Sequence, residues 1–165
     1  MDKQQLEQEF LRLVENNQKI IYKVCYVYAT DSEHLNDLYQ EVVINLWKSF
    51  SQFRGESLPS TWVYRVGLNT CVSFYRKEKS KPEVVPLSFD LPIYADQDNT
   101  EEQLLWLYRM INRLGQMERA LILLWLEEKS YHEIAEITGI SRNHVAVKLS
   151  RIREKLKMMS NQLNI

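Results

Sequence analysis

The sequence predicts an all-α protein of two small helical domains joined by a Pro-rich, acidic linker, with a helix-turn-helix in the C-terminal domain. Three observations carry that reading. Apolar residues recur three and four positions apart through both halves of the chain, the period of a helix that buries one face. Only four Gly and four Pro occur among 165 residues, too few turn-formers for an all-β fold. Between Ser80 and Thr100 the periodicity stops: Pro82, Pro86 and Pro92 fall at short intervals, and Asp90 to Glu102 holds five acidic residues and no basic one. Proline removes a backbone donor and fixes φ, so this stretch reads as a tether. The domains are then 1–80 and 101–165, with 81–100 between them.

From Asp2 to about Ala29 the pattern predicts one long helix. Leu6, Phe10, Leu13, Asn17, Ile20 and Val24 keep a single face, which Val14, Ile21 and Tyr28 widen. Thr30-Asp31-Ser32 supplies a break and a new N-cap. The next helix runs to about Ser51, with Leu35, Leu38, Val42, Leu46 and Phe50 inward and Asp37, Gln40, Glu41, Asn45 and Lys48 outward. Phe53 to Pro59 is a loop punctuated by Gly55 and Pro59. A third helix is expected from about Ser60 to Lys79. Along it Tyr64, Arg65, Asn69, Arg76, Lys77 and Lys79 interleave aromatic, amide and basic groups. That mixture suits a single nucleic-acid strand, where rings stack on bases and cations follow phosphates. Trp62 and the tyrosines at helical spacing equally suit a core, and the residues alone leave both readings open.

After the linker, Glu101 to about Leu114 is helical, with Leu104, Leu107, Tyr108, Ile111 and Leu114 inward. Gly115-Gln116 marks a turn, and Met117 to Glu127 forms the next helix. Ser130 to Leu156 completes the domain as a helix-turn-helix. Ala135 gives a small contact where the helices cross, and Gly139 supplies the left-handed residue of the turn. Ser141 caps the second helix, and Val145, Leu149, Ile152 and Leu156 form its buried face. Asn143, Val147, Ser150 and Arg151 lie opposite, flanked by Arg142, His144, Lys148 and Arg153. A helix that buries one face and presents Asn, Ser, Arg and Lys on the other suits the DNA major groove.

Charge supports this placement. The net charge is −1, which by itself marks no nucleic-acid binder. Residues 140–165, however, hold Arg142, Lys148, Arg151, Arg153, Lys155 and Lys157 against Glu154 alone, so cationic charge is focused where phosphates would be met. Cys25 and Cys71 sit in apolar helical patterns without metal-ligand spacing and read as buried thiols. No apolar run approaches the ~20 residues of a membrane span. The polar, acidic N-terminus does not read as a signal peptide, so a cytoplasmic protein without membrane insertion is expected. His34, His132 and His144 are scattered, and no phosphate loop or nucleophile motif occurs. Neither an enzyme nor a cofactor is expected.

The order of motifs resembles a bacterial RNA polymerase sigma factor of the extracytoplasmic-function (ECF) class. The carriers are Asp37-Leu38-Tyr39-Gln40-Glu41-Val42, Phe53-Arg54-Gly55-Glu56-Ser57 and Thr61-Trp62-Val63-Tyr64-Arg65-Val66, with Asn69 at the family spacing. The resemblance covers region 2 over about 10–80 and region 4 over about 101–158. It implies that Asp37, Gln40, Glu41, Asn45 and Trp47 bind core RNA polymerase. It further implies that Phe53, Glu56, Ser57 and Thr61 take up a base flipped from the promoter −10 element. Tyr64, Arg65 and Asn69 would hold the non-template strand. Arg142, Asn143, His144, Val147, Lys148, Arg151 and Arg153 would read the −35 element: Asn143, Val147 and Arg151 at base edges, the rest at phosphates. Ser57-Leu58-Pro59 departs from the commoner aromatic or polar loop residues, which bears on the base chosen there. An anti-sigma factor is the further partner the resemblance implies. The rival reading is a two-domain helix-turn-helix regulator whose N-terminal helices sense a ligand or dimerise.

Overall fold

The structure, a computed structural model, describes residues 2–53, 55–77 and 101–163. Its elements are α1 (Lys3–Asn16), α2 (Gln18–Tyr28), α3 (Ser32–Phe50), α4 (Pro59–Lys77), α5 (Glu101–Ile111), α6 (Gln116–Leu126), α7 (Tyr131–Thr138) and α8 (Arg142–Leu163). No strand occurs among the described residues, and the all-α expectation holds. Packing divides the chain into two compact units, Met1–Val85 and Pro86–Ile165. The expected linker, 81–100, lies outside the described residues.

In the first unit, the single helix expected from Asp2 to Ala29 is two helices. Asp2 caps α1, its Oδ1 accepting from the Gln5 N–H at 2.8 Å. The break falls at Asn17, and its side chain causes it. Asn17 Nδ2 donates to the Leu13 carbonyl at 2.8 Å, the acceptor its own backbone N–H would use in a continuing helix. That N–H turns to Val14 O instead, at 3.1 Å. Asn competes with the helix ladder in this way because its amide reaches back one turn. Asp31 then caps α3 through the His34 N–H at 2.7 Å.

The core of this unit is built from α2, α3 and α4. Ile21, Val24, Cys25 and Tyr28 meet Leu38, Val42 and Leu46, and Val63, Tyr64, Leu68 and Cys71 close it. Each such aliphatic side chain contributes about 1.5–3 kcal/mol when removed from water. Gly67 lets α2 and α4 approach: a Cβ there would already touch Val24 Cγ1 at 3.4 Å. Cys25 and Cys71 are both buried and free. A hydrogen bond with Cys71, together with burial, holds the Cys25 thiol well above its ordinary pKa and so un-ionised.

The second unit packs α5–α8 around Tyr108, Ile111, Leu121, Leu124, Ile134, Val145 and Leu149. α5 ends at Ile111, a turn before the expected Leu114. Buried Arg119 explains the stop: its Nε donates to Leu114 O at 2.9 Å and its Nη2 to Asn112 O at 2.6 Å. The guanidinium thereby satisfies carbonyls that the ended helix leaves open.

Candidate nucleic-acid interface

The helix-turn-helix is fixed at each corner by a local interaction. α6 closes with Glu128 N–H on Trp125 O at 3.0 Å and Lys129 N–H on Leu124 O at 3.1 Å. This is the paired-bond helix end that needs a left-handed residue, and Glu128 takes it at φ 63°. Ser130 and Glu133 then form a reciprocal cap on α7, each side chain accepting from the other's N–H at 3.1 Å. Those bonds to Ser130 hold the Glu133 carboxyl below its ordinary pKa. Gly139, at φ 78°, ends α7 as expected. Ser141 Oγ accepts from the His144 N–H at 3.3 Å to start α8.

α8 buries Val145, Leu149 and Ile152 and exposes Arg142, Asn143, His144, Val147, Lys148, Ser150 and Arg151. Val147 is 48% exposed, an apolar group in a polar field suited to a thymine methyl. Two cations of the expected set face neighbours as well as solvent. The Arg153 guanidinium lies over the Trp125 ring, 5.2 Å from its centroid. Lys148, Arg151, Met117 and Glu118 line a cleft of about 170 Å³ between α8 and α6. Lys155, which sequence reasoning did not single out, pairs with Glu118 at 3.0 Å and ties α8 to α6. Burial alone would raise the Glu118 pKa, but the Gly115 N–H and Lys155 hold it below its ordinary value.

In the first unit, the loop after α3 folds back onto α4. Phe53 stacks on Trp62, with centroids 4.7 Å apart and planes within 16°, and Phe50 backs the same indole at 6.3 Å. Beside this stack lies a cavity of about 400 Å³, lined by Ser49, Gln52, Phe53, Glu56, Ser57, Trp62 and Arg65. A polar, half-open recess walled by an aromatic stack can hold a planar heterocycle. The structure brings four expected residues together here, namely Phe53, Glu56, Ser57 and Arg65. It also adds Ser49 and Gln52, whose positions on the last turn of α3 and just beyond it gave no signal in sequence.

Two residues of the expected set are corrected. Tyr64 is 2% exposed and Thr61 4%, so both side chains belong to the packing. On α4, Trp62, Arg65, Asn69 and Ser73 follow the outer stripe at helical steps, whereas Thr61 and Tyr64 point away from it. Asn69 is exposed and lines a different cavity with Ser73. The expected core-binding residues divide likewise. Asp37, Gln40 and Trp47 are exposed on the outer face of α3, joined by Ile44 at 45% exposure. Trp47 meets Phe10 edge-on at 5.0 Å. Glu41 and Asn45 turn to the α3–α4 seam instead, where Asn45 Nδ2 donates to Thr70 Oγ1 at 2.9 Å.

A basic recognition helix in one unit and an aromatic, base-accepting recess in the other define a nucleic-acid-binding protein of two helical modules. Residues 13–81 match the family model for sigma-70 region 2, and residues 104–156 that for sigma-70 region 4. The RNA polymerase sigma factor YlaC of Bacillus subtilis is 32% identical over 134 residues, 76% of this chain and 76% of that one. The ECF RNA polymerase sigma factor SigM of Mycobacterium tuberculosis is 23% identical over 156 residues, 94% and 79%. Among solved structures, the sigma factor RpoE of Bartonella quintana, in complex with the anti-sigma factor NepR, shares the fold. Its TM-score is 0.71 at 19% identity, with 96% of this chain and 98% of that one covered. The chain belongs to the sigma-70 family of RNA polymerase sigma factors, in its ECF class. Its function is to direct RNA polymerase to promoters. Sigma factors as a family are not enzymes.

Proposed function

We propose that this sigma factor engages a promoter at two points and helps to melt it. α8 enters the major groove of the −35 element, with Asn143, Val147 and Arg151 at base edges and Arg142, His144 and Lys148 at phosphates. Arg153 supports the phosphate contact from its place on Trp125. The recess beside Phe53 and Trp62 takes a base flipped from the −10 element, edged by Glu56, Ser57 and Arg65, while Asn69 holds the strand. Flipping costs a few kcal/mol of unstacking, which the aromatic wall offsets. The outer face of α3, with Asp37, Gln40 and Trp47, binds core polymerase, and Ile44 gives that face an apolar centre. The observation that carries the reading is the Phe53–Trp62 stack beside an open, base-accepting cavity.

An anti-sigma factor is a further proposed partner, supported by the complex in which the fold neighbour was solved. Work on DNA with polymerase implies a cytoplasmic protein, in keeping with the lack of any helix, among the described residues, long and apolar enough to cross a membrane. Holoenzyme reconstituted with core polymerase tests the scheme by run-off transcription and permanganate footprinting. Asn69→Ala is expected to reduce opening of the −10 element more than duplex binding. Normal melting by that variant would remove Asn69 from the mechanism, and failure of the wild type to bind core would overturn the scheme.

A further inference from the structure

The α3–α4 seam carries two cavities, and they share a wall. Ser49 lines the recess beside Phe53 and Trp62, and it also lines a second cavity of about 400 Å³ with Glu41, Asn45, Asn69 and Ser73. α3 supplies Glu41, Asn45 and Ser49 at four-residue steps, and α4 supplies Asn69 and Ser73 at the same step. The two cavities are therefore consecutive stations along one groove.

The second station has a fixed floor and a selective rim. Asn45 Nδ2 donates to Thr70 Oγ1 at 2.9 Å, and Thr70 donates onward to Val66 O at 2.7 Å. These groups are already engaged, and they hold the helices at a set distance. The lining contains no cation, so nothing in it attracts a phosphate. It does contain Glu41, a half-buried carboxylate with no ion pair among the described residues. An ionised carboxylate only accepts hydrogen bonds, so its occupant must donate.

We propose that this second cavity is a base subsite for the same melted strand, selective for a base with an exocyclic amino group, which Glu41 reads. Cytosine, adenine and guanine offer such a donor, whereas thymine sets two carbonyls beside the carboxylate. Asn69 and Ser73 close over the base edge from α4. Trp62 and Asn69 are two helical turns apart, about 10.5 Å, well beyond the ~3.4 Å rise of stacked neighbours. The second base therefore lies one or two nucleotides along a splayed strand. The assignment rests on base capture at the first station, and it moves Glu41 and Asn45 from the polymerase contact to the DNA contact.

The test uses intact holoenzyme and fork-junction promoter DNA in which each unpaired non-template position carries A, C, G or T in turn. Wild type is expected to disfavour thymine by about tenfold at one position near the base held by Phe53 and Trp62. Glu41→Gln, whose amide both donates and accepts, should reduce that discrimination to about threefold or less. Its affinity for core polymerase and the preference at the first station should stay unchanged. A uniform wild-type response to all four bases outside the first station would overturn the subsite. So would a Glu41→Gln variant that keeps the discrimination and loses only core affinity, which would return Glu41 to the polymerase contact. Failure of wild-type holoenzyme to retain any fork-junction DNA would instead overturn base capture itself.

Discussion

The two DNA-facing surfaces are made in opposite ways. On α8 the functional groups stand outward from a finished helix, and their removal leaves the core of Val145, Leu149 and Ile152 intact. On the α3–α4 seam the functional surface is part of the packing. Trp62 is 8% exposed, backs onto Phe50 and forms the wall on which Phe53 stacks. Recognition can thus be separated from stability in the second unit and is fused with it in the first. A duplex offers its base edges to a rigid rod, whereas a flipped base needs an enclosing pocket, which only tertiary structure provides.

The harshest way to break this comparison is a matched pair of truncations. Trp62→Ala should lose both promoter opening and about 3–5 kcal/mol of first-unit stability, read by hydrogen exchange along α2–α4 in the full chain. Arg151→Ala should leave exchange in both units within about 0.5 kcal/mol of wild type. It should nonetheless weaken −35 binding by about 1–3 kcal/mol with core affinity intact. If Arg151→Ala melted α8, or Trp62→Ala spared the fold, the distinction would fail.

The same contrast explains what could be read in the sequence. The turn glycine, the Ser130 and Asp31 caps and the α8 stripe are local and periodic, and each falls where expected. The α1–α2 break was hidden because Asn17 sits in register with Leu13 and Ile20, and only its side-chain bond to Leu13 O shows why the helix stops. Thr61 and Tyr64 carried the right chemistry within a matching motif, but which α4 face α2 and α3 cover is a tertiary fact. Ser49, Gln52 and Ser73 join the cavities only because two helices bring them together.

A gentler pair of substitutions probes the frame of the helix-turn-helix. Gly139 and Glu128 both have positive φ, at 78° and 63°, but only Gly adopts this region without Cβ strain. Gly139→Ala should cost about 1 kcal/mol, and Glu128→Gly should stabilise by about the same amount. Thermal melting of both variants checks the signs. A destabilising Glu128→Gly would mean that the Glu128 side chain contributes more than its backbone strain removes.

The smallest expected effect is acid sensitivity of the second unit. Glu118 and Glu133 have carboxyl pKa values lowered by their bonds to Gly115 and Lys155 and to Ser130. A group with a depressed folded pKa binds fewer protons folded than unfolded. Its contribution is therefore complete above the unfolded value, about 4.3 for Glu, and fades as pH falls through the folded value. The second unit should accordingly lose melting temperature below about pH 4.3, and Glu118→Gln should flatten part of that slope. The Gln amide oxygen still accepts from the Gly115 N–H, so the cap remains while the charge on Lys155 is lost. Because the Glu118–Lys155 pair is largely exposed, added salt should shrink the difference between variant and wild type. Equal slopes for the two proteins at low salt would mean that the Gly115 cap alone carries the interaction and that α8 is held to α6 by packing without help from charge.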